Sequence, residues 1–474
     1  VEPNQPLYRQ VAQRIETMIQ GGTFSVGEKI PSVRKLSQQL DVSVTTVVEA
    51  YRLLEDRRLV EARPQSGYYV RTPEPAAPEP AMTSSTTGGA PPEIADLVLR
   101  FLRGAQKEGV LALGAAVPDP SFLPVQQLNR LLIQAVRQQP SASQSYDSVA
   151  GLEHLRVQIG RRALDAGCSL SPDDILTTSG AQAAVHLCLQ AVTAPGDTVA
   201  VETPTYYGLL EALESLHLRA VEVATDPRTG VDIDELARIF DREPVAACVF
   251  SPSFGNPLGH CMPDASRRRL VEELSSRQIP LIEDDVYGEL PFAPRRPRAV
   301  KSFDTEGLIL LCSSFSKSVA PGYRIGWTAP GRYRDRVEKL KFASSVATAT
   351  PTQMALAAFL AEGGFDRTLR QLRREYRDLV ARMSASVARH FPEGTRLSRP
   401  TGGHVIWVEM PEPADSVRLH EEALRYGVSI APGILFSTSR RYRNCLRLNC
   451  ALPWDTTLER AIQRLGQLAR AQLG

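Results

Sequence analysis

The chain has 474 residues, 43% of them apolar and 23% charged, with a formal net charge of +2 at pH 7. That length exceeds one ordinary domain and the apolar share can fill a sizeable core, so two or three domains are expected. The balanced charge excludes a surface that binds nucleic acid all over, and any such binding must be local. Seven cysteines without a CxxC pair or zinc spacing point to reduced thiols and no metal site. With no basic-then-apolar leader and no run of about 18 or more apolar residues, the expectation is a soluble cytoplasmic protein with no membrane partner.

Residues 7–20, LYRQVAQRIETMIQ, set Leu7, Val11, Ile15 and Met18 or Ile19 at helical spacing before Gly21-Gly22. Ser32 is a predicted N-cap for SVRKLSQQL. The turn Asp41-Val42-Ser43 leads into VTTVVEAYRLLEDRR, whose Val47, Ala50, Tyr51 and Leu54 point inward while Thr45, Thr46 and Arg52 point out. Two short helices across a tight turn predict a helix-turn-helix, and LVEARPQSGYYV predicts a two-stranded wing around Pro64–Gly67.

Through KIPSVRKLSQQLDVSVTTVVEAYRLLEDRRLVEARPQSGYYV this stretch resembles the N-terminal domain of the GntR family of bacterial regulators. The resemblance covers residues 1–71 and implies a winged helix-turn-helix that binds double-stranded DNA. It implies that Ser32 and Arg34 approach phosphate or base edges. Ser43, Thr45 and Thr46 would enter the major groove, and wing residues Gln65, Ser66 and Gly67 would reach the minor groove. Val44 and Val48 stand where several relatives carry arginine, which weakens direct reading of guanine. Ten Lys or Arg oppose eight Asp or Glu in this stretch, a modest balance for a DNA reader. A homodimer holding two heads on paired half-sites is therefore expected.

Residues 72–93, TPEPAAPEPAMTSSTTGGAPPE, are rich in Pro, Ser, Thr, Gly and Ala without apolar period, and predict a linker. From residue 94 to 474, helical stretches alternate with the short strands TVAVE, RAVEV, AACVF, IPLIED and GLILLC. That alternation predicts an α/β body with a mainly parallel sheet, whose ligand site lies beyond the strand carboxyl ends. The C-terminal part, with its arginine-rich helix around residues 368–390, predicts a smaller α+β domain. The helix's charges read as a solvated face.

The residues after those strands carry chemistry. SSFSKSVAPGYRIGW places Lys317 just past a strand, between Ser314, Ser316 and Arg324. A desolvated lysine in an electropositive pocket is a nucleophile toward aldehydes, and the hydroxyls and guanidinium can hold a phosphate. Gly180, Ala181 and Gln182 open a helix whose free amides suit phosphate. Tyr206 can stack on a ring, Asn256 and Tyr287 can reach a phenolic oxygen, and Asp284 can pair with a pyridine nitrogen.

In this order the segments resemble fold type I aminotransferases that use pyridoxal 5'-phosphate, over nearly all of residues 95–474. The resemblance implies that Lys317 is the Schiff-base lysine and that Arg447, in CLRLNCA, holds a substrate carboxylate. It also implies that Tyr146 reaches the phosphate from the other subunit of a homodimer. In ALGAAVPDP, relatives often carry a second glycine near Ala115, which bears on room beside the substrate. A winged-helix head, a linker and this body together resemble the MocR-type subgroup of GntR regulators. The implied function is a DNA-binding transcription regulator whose body senses pyridoxal phosphate or an amino compound. The alternatives are a working aminotransferase with an accessory head, or a protein that does both.

Overall fold

Apolar residues at helical spacing build the N-terminal unit. In the computed structural model, which describes residues 6–57, 59–63, 66–71, 77–105 and 107–474, this unit contains α1 (Leu7–Gln20), α2 (Val33–Leu40) and α3 (Val44–Asp56). A wing follows, formed by β1 (Val60–Arg63) antiparallel to β2 (Gly67–Val70). Val11, Ile15, Leu36, Val47, Tyr51, Leu54 and Val60 share one core. The Tyr51 hydroxyl donates to the Pro31 carbonyl at 2.6 Å and pins the entry of α2 against α3. Ser32 and Ser43 cap α2 and α3, accepting from the amides of Lys35 at 3.3 Å and Thr46 at 3.0 Å. The winged helix-turn-helix is as expected. The chain divides into two compact units, Val1–Ala76 and Ala77–Gly474.

The second unit is built on a seven-stranded sheet. Its strands are β3 (Leu176–Thr178), β4 (Thr198–Glu202), β5 (Arg219–Val223), β6 (Val245–Phe250), β7 (Leu281–Asp284), β8 (Ile309–Ser314) and β9 (Gly326–Ala329), in the order β3-β9-β8-β7-β6-β4-β5. Only β9 runs against its neighbours, so the carboxyl ends of β3, β4, β6, β7 and β8 lie along one edge, where a ligand site is expected. The five strands read from sequence are all present. Their apolar runs are buried because helices such as α4 (Ala181–Val192) and α5 (Tyr207–Ser215) cover the sheet.

A 27-residue helix, α6 (Gly364–His390), leads to the smaller sheet. Its solvated arginines are one side only, since Phe365, Leu369, Leu372, Tyr376, Leu379 and Met383 are buried along the other. The smaller sheet pairs β10 (Arg396–Leu397), β11 (Val405–Glu409), β13 (Cys445–Asn449) and β12 (Ala431–Pro432) in that spatial order, all antiparallel.

The structure departs from the expected linker. Residues 72–76 lie outside the described residues, and from Ala77 onward the segment packs on the body. Thr83, Thr86 and Ala90 donate their amides to the carbonyls of Thr225, Glu222 and Ala220, and Ala220 returns a bond to Ala90. The hydroxyls of Thr83, Ser85 and Thr86 accept from the amides of Thr225, Ala224 and Glu222 at 2.9, 2.9 and 3.0 Å. Those Ser and Thr residues, read as a loose composition, supply the bonds that an outermost strand, β5, otherwise lacks.

Candidate functional site

Five strand ends, those of β3, β4, β6, β7 and β8, carry most of the predicted body residues. Lys317 follows β8 and is held inside the body, its Nζ donating to the Ala116 carbonyl at 2.6 Å and lying 6.0 Å from the centre of the Tyr287 ring. Burial, helped by Arg447, lowers its pKa to about 8, against the opposing pull of Asp284. Asp284 ends β7. Burial raises its pKa to about 7, although the Val286 amide, at 3.3 Å, favours the charged form. An acid and a base, each pushed toward neutrality by the same lack of water, face one another across the site.

The phosphate candidates form a cradle. Gly180, with φ of 87°, is the N-cap of α4, so the amides of Ala181 and Gln182 open that helix. The Gln182 side chain is turned away, donating to the Gly208 carbonyl. Arg324 donates to the Ser179 carbonyl at 3.2 Å and to the Ser316 hydroxyl at 3.4 Å, and the Ser314 hydroxyl accepts from the Ser316 amide at 3.4 Å. A Cβ on Gly180 would run into the Arg324 guanidinium, and one on Gly326 into the Gly180 backbone. No motif singled out Gly326. Its signal is the packing of β9 beside β3.

Arg447, on β13, is fully buried. It donates to the Asn256 side-chain oxygen at 3.0 Å and to the Gly114 carbonyl, while its Nε is left without a partner. Asn256 is thus engaged with the arginine as well as being positioned after β6. Tyr206 stands at the residue just before α5 and packs against Tyr207, with ring centres 4.8 Å apart. Tyr287 is 6% exposed, and its hydroxyl is buried without a partner.

An orphaned phenol, an orphaned guanidinium nitrogen, a glycine-lined cradle of amides and an acid facing a nucleophilic lysine together match the polar groups of pyridoxal phosphate and a carboxylate. The donor set fits that cofactor.

Sequence reading set ALGAAVPDP beside the substrate but missed what its backbone does. Carbonyls of Gly114 and Ala116 hold Arg447 and Lys317, and carbonyls carry no side-chain signature. Behind them, Asn449 donates to the Val117 carbonyl at 2.9 Å and its Oδ1 accepts from the Ala451 amide at 3.0 Å. That orientation turns Oδ1 toward His404 Nδ1, 3.0 Å away, so Nδ1 carries the proton and Nε2 is bare. Burial, with Lys317 nearby, lowers the His404 pKa to about 3 and keeps the ring neutral.

Tyr146 is not brought to Lys317 within the chain and is 85% exposed. In the head, Ser32, Arg34, Ser43 and Thr45 are exposed. Ser43 and Thr46 also bond one another at 2.8 Å, so their hydroxyls shape the start of α3. The Ser66 hydroxyl pairs with that of Tyr69 at 2.6 Å, and Gly67 has φ of 109°. Gln65 lies outside the described residues. Among the described residues no cluster of metal-ligating side chains occurs, and no helix is long and apolar enough to cross a membrane.

Residues 7–70 match the bacterial regulatory proteins of the gntR family, and residues 116–465 match aminotransferase class I and II. The HTH-type transcriptional regulator YjiR of Escherichia coli is 39% identical over 97% of this chain and 98% of its own. The multiple substrate aminotransferase of Thermococcus profundus superposes with a TM-score of 0.74 at 25% identity, covering 80% of this chain and 96% of that one. LysN of Thermus thermophilus, an alpha-aminoadipate aminotransferase complexed with N-(5'-phosphopyridoxyl)-L-leucine, gives 0.73 at 26% identity, over 79% and 95%. The chain belongs to the MocR-type subgroup of the GntR family, transcription regulators in which a winged-helix DNA-binding domain is fused to an aminotransferase-like body.

Proposed function

We propose that this regulator holds pyridoxal 5'-phosphate as a Schiff base on Lys317 and responds to an amino compound that displaces the lysine. Bound pyridoxal phosphate supplies an aldehyde carbon open to amines and an electron-poor ring. Lys317, with its pKa near 8, presents a useful fraction of neutral amine at physiological pH. Asp284 takes the ring nitrogen, Asn256 and Tyr287 the phenolic oxygen, and Tyr206 the ring face. Gly180, Ala181, Gln182, Ser314, Ser316 and Arg324 take the phosphate, joined by Tyr146 of a second copy. Arg447 takes a carboxylate of the amine through its two-pronged guanidinium. The observation that carries this reading is the buried Lys317 and Asp284 set beside the unpartnered Tyr287 hydroxyl.

An amine that takes the place of Lys317 would release its Nζ as a free amine able to donate to the Ala116 carbonyl, as it does in this structure at 2.6 Å, which gives the body two arrangements for an amine to choose between. The start of α3, with Ser43, Thr45 and Thr46, enters the major groove, Ser32 and Arg34 meet phosphate or base edges, and Ser66 and Gly67 of the wing reach the minor groove. Two heads of a homodimer read paired half-sites.

The Lys317→Ala protein is expected to lose the visible absorption that pyridoxal phosphate gives with wild type, and to lose any amine response of DNA binding. Retention of both by the variant would overturn the reading. The completeness of the lysine, aspartate and arginine set also supports a second reading, a working aminotransferase. Steady amino transfer from an amino acid to a 2-oxo acid at about 1 per second or faster would favour it.

A further inference from the structure

The polar contacts along the outer edge of β5 go beyond simple coverage. Glu222, on β5, is fully buried, and its carboxylate accepts from five donors. These are the Thr203 hydroxyl at 2.8 Å, the Ser437 hydroxyl at 2.8 Å, the Thr438 amide and hydroxyl at 2.6 and 2.9 Å, and Arg441 at 2.5 Å. The same Arg441 donates to the Ser84 carbonyl at 2.7 Å and the Ser84 hydroxyl at 3.1 Å. Thr83 adds a bond to the Thr203 carbonyl at 2.7 Å. Segment 77–90 is therefore tied to the edge of the sheet and to the loop 437–442, and at its start also by the Leu397 amide on the Pro78 carbonyl, Arg399 on the Ala77 carbonyl and the Arg228–Glu79 ion pair.

That loop is bracketed by the site. Phe436, just before it, lies under Arg447, its ring centre 5.1 Å from the guanidinium carbon, and its carbonyl accepts from the Thr205 amide next to Tyr206. Tyr442, at its end, meets the Thr203 hydroxyl at 2.9 Å and packs on Trp407, and the chain then enters β13, which carries Arg447. A shift of Arg447 toward a carboxylate must be taken up by this short stretch, because Phe436 and β13 are both packed against buried neighbours.

On the other side, three of the edge amides are met by side-chain hydroxyls of segment 77–90, and water can replace such partners when the segment lifts.

We infer that residues 77–90 are a releasable strap whose catch is the loop 437–442, centred on Arg441 and Glu222. Through it, an amine carboxylate on Arg447 changes how the DNA-binding head is tethered. The inference rests on the proposed sensing of an amine at Lys317 and Arg447. When the catch holds, the chain is fixed to the body from Ala77 onward. When Arg441 leaves Ser84 and the bonds at Ala77, Pro78 and Glu79 open with it, the chain is released from the body toward residue 90 and the heads lose their fixed leash.

The test uses the full-length protein loaded with pyridoxal phosphate, a mixture of the proteinogenic L-amino acids as the probe, and a duplex from upstream of its own gene. In wild type the mixture is expected to change the visible absorption, the rate of protease cleavage within residues 77–90, and the DNA affinity, the last by about fivefold or more. Thr83→Val with Thr86→Val, and separately Arg441→Gln, should keep the absorption change. Their straps should be cut rapidly with or without amino acids, and their DNA response should fall below about twofold. Thr83→Ser with Thr86→Ser, which keeps both hydroxyls, should behave as wild type. A full DNA response in the valine and glutamine variants overturns the strap while leaving the sensing intact. Absence of any absorption change in wild type overturns the sensing, and the strap inference with it.

Discussion

The head and the body do their chemistry on opposite sides of the water boundary. In the head the candidate contacts Arg34, Ser43 and Thr45 are exposed over a small core, open to the solvent from which DNA approaches. In the body Arg447 is fully buried, and desolvation pushes both Lys317 and Asp284 toward their neutral forms. Exposed charges act through a screened field and weaken with salt. Buried ones act through which protonation state they are forced into, and salt hardly reaches them. A regulator built this way separates a salt-sensitive reader from a salt-insensitive buried site.

The sharpest way to test that contrast is at Arg447. Arg447→Gln is expected to weaken carboxylate-bearing amines by about 2–5 kcal/mol, because a buried charge-assisted pair is lost. Absorption titration of the cofactor-loaded protein should show no such loss for amines lacking a carboxylate, and an equal loss for both would remove Arg447 from the carboxylate. Asp284→Asn should cost about 1.5–3 kcal/mol of pyridoxal phosphate affinity, the range for a hydrogen bond to a charged group, measured by equilibrium titration of cofactor-free protein.

A smaller effect is read from pH. Below about 8 the neutral fraction of Lys317 falls roughly tenfold per pH unit, so the rate of cofactor capture should rise to about pH 8 and then level off. An ordinary lysine would keep the rate climbing to about pH 10. The linkage has a matching sign. The folded protein disfavours the charged lysine, so this site lowers stability below about pH 8, and the penalty fades as pH rises toward the unfolded value of 10.5. Smallest is Ser43→Ala, which removes the α3 cap and should take about 1 kcal/mol from the head. Thermal unfolding should shift for the head while the visible absorption of the body stays put.

Much of both regions was legible. The head's helices declared themselves through the cap at Ser32 and apolar spacing at Val47 and Tyr51, and the body's strands through apolar runs that end at Glu202, Phe250, Asp284 and Cys312. What was not legible has physical causes. Gly114 and Ala116 act through backbone carbonyls, and His404 through a tautomer fixed by Asn449, none of which leaves a pattern in side-chain type. Residues 83–86 were misread because Ser and Thr signal loose chain when they face water, but supply strand-like acceptors when they meet an edge.

The segment along β5 also bears on solubility. A body cut free at residue 94, where the linker composition ends, would leave the amides and carbonyls of Ala220 and Glu222 and the amide of Ala224 unpaired along the outer edge of β5. Such a bare strand is a template for joining another chain, and self-association into aggregates is its usual outcome. A body that begins at Ala77 carries its own cover, so the isolated body is expected to stay dispersed only if that Ser- and Thr-rich stretch travels with it.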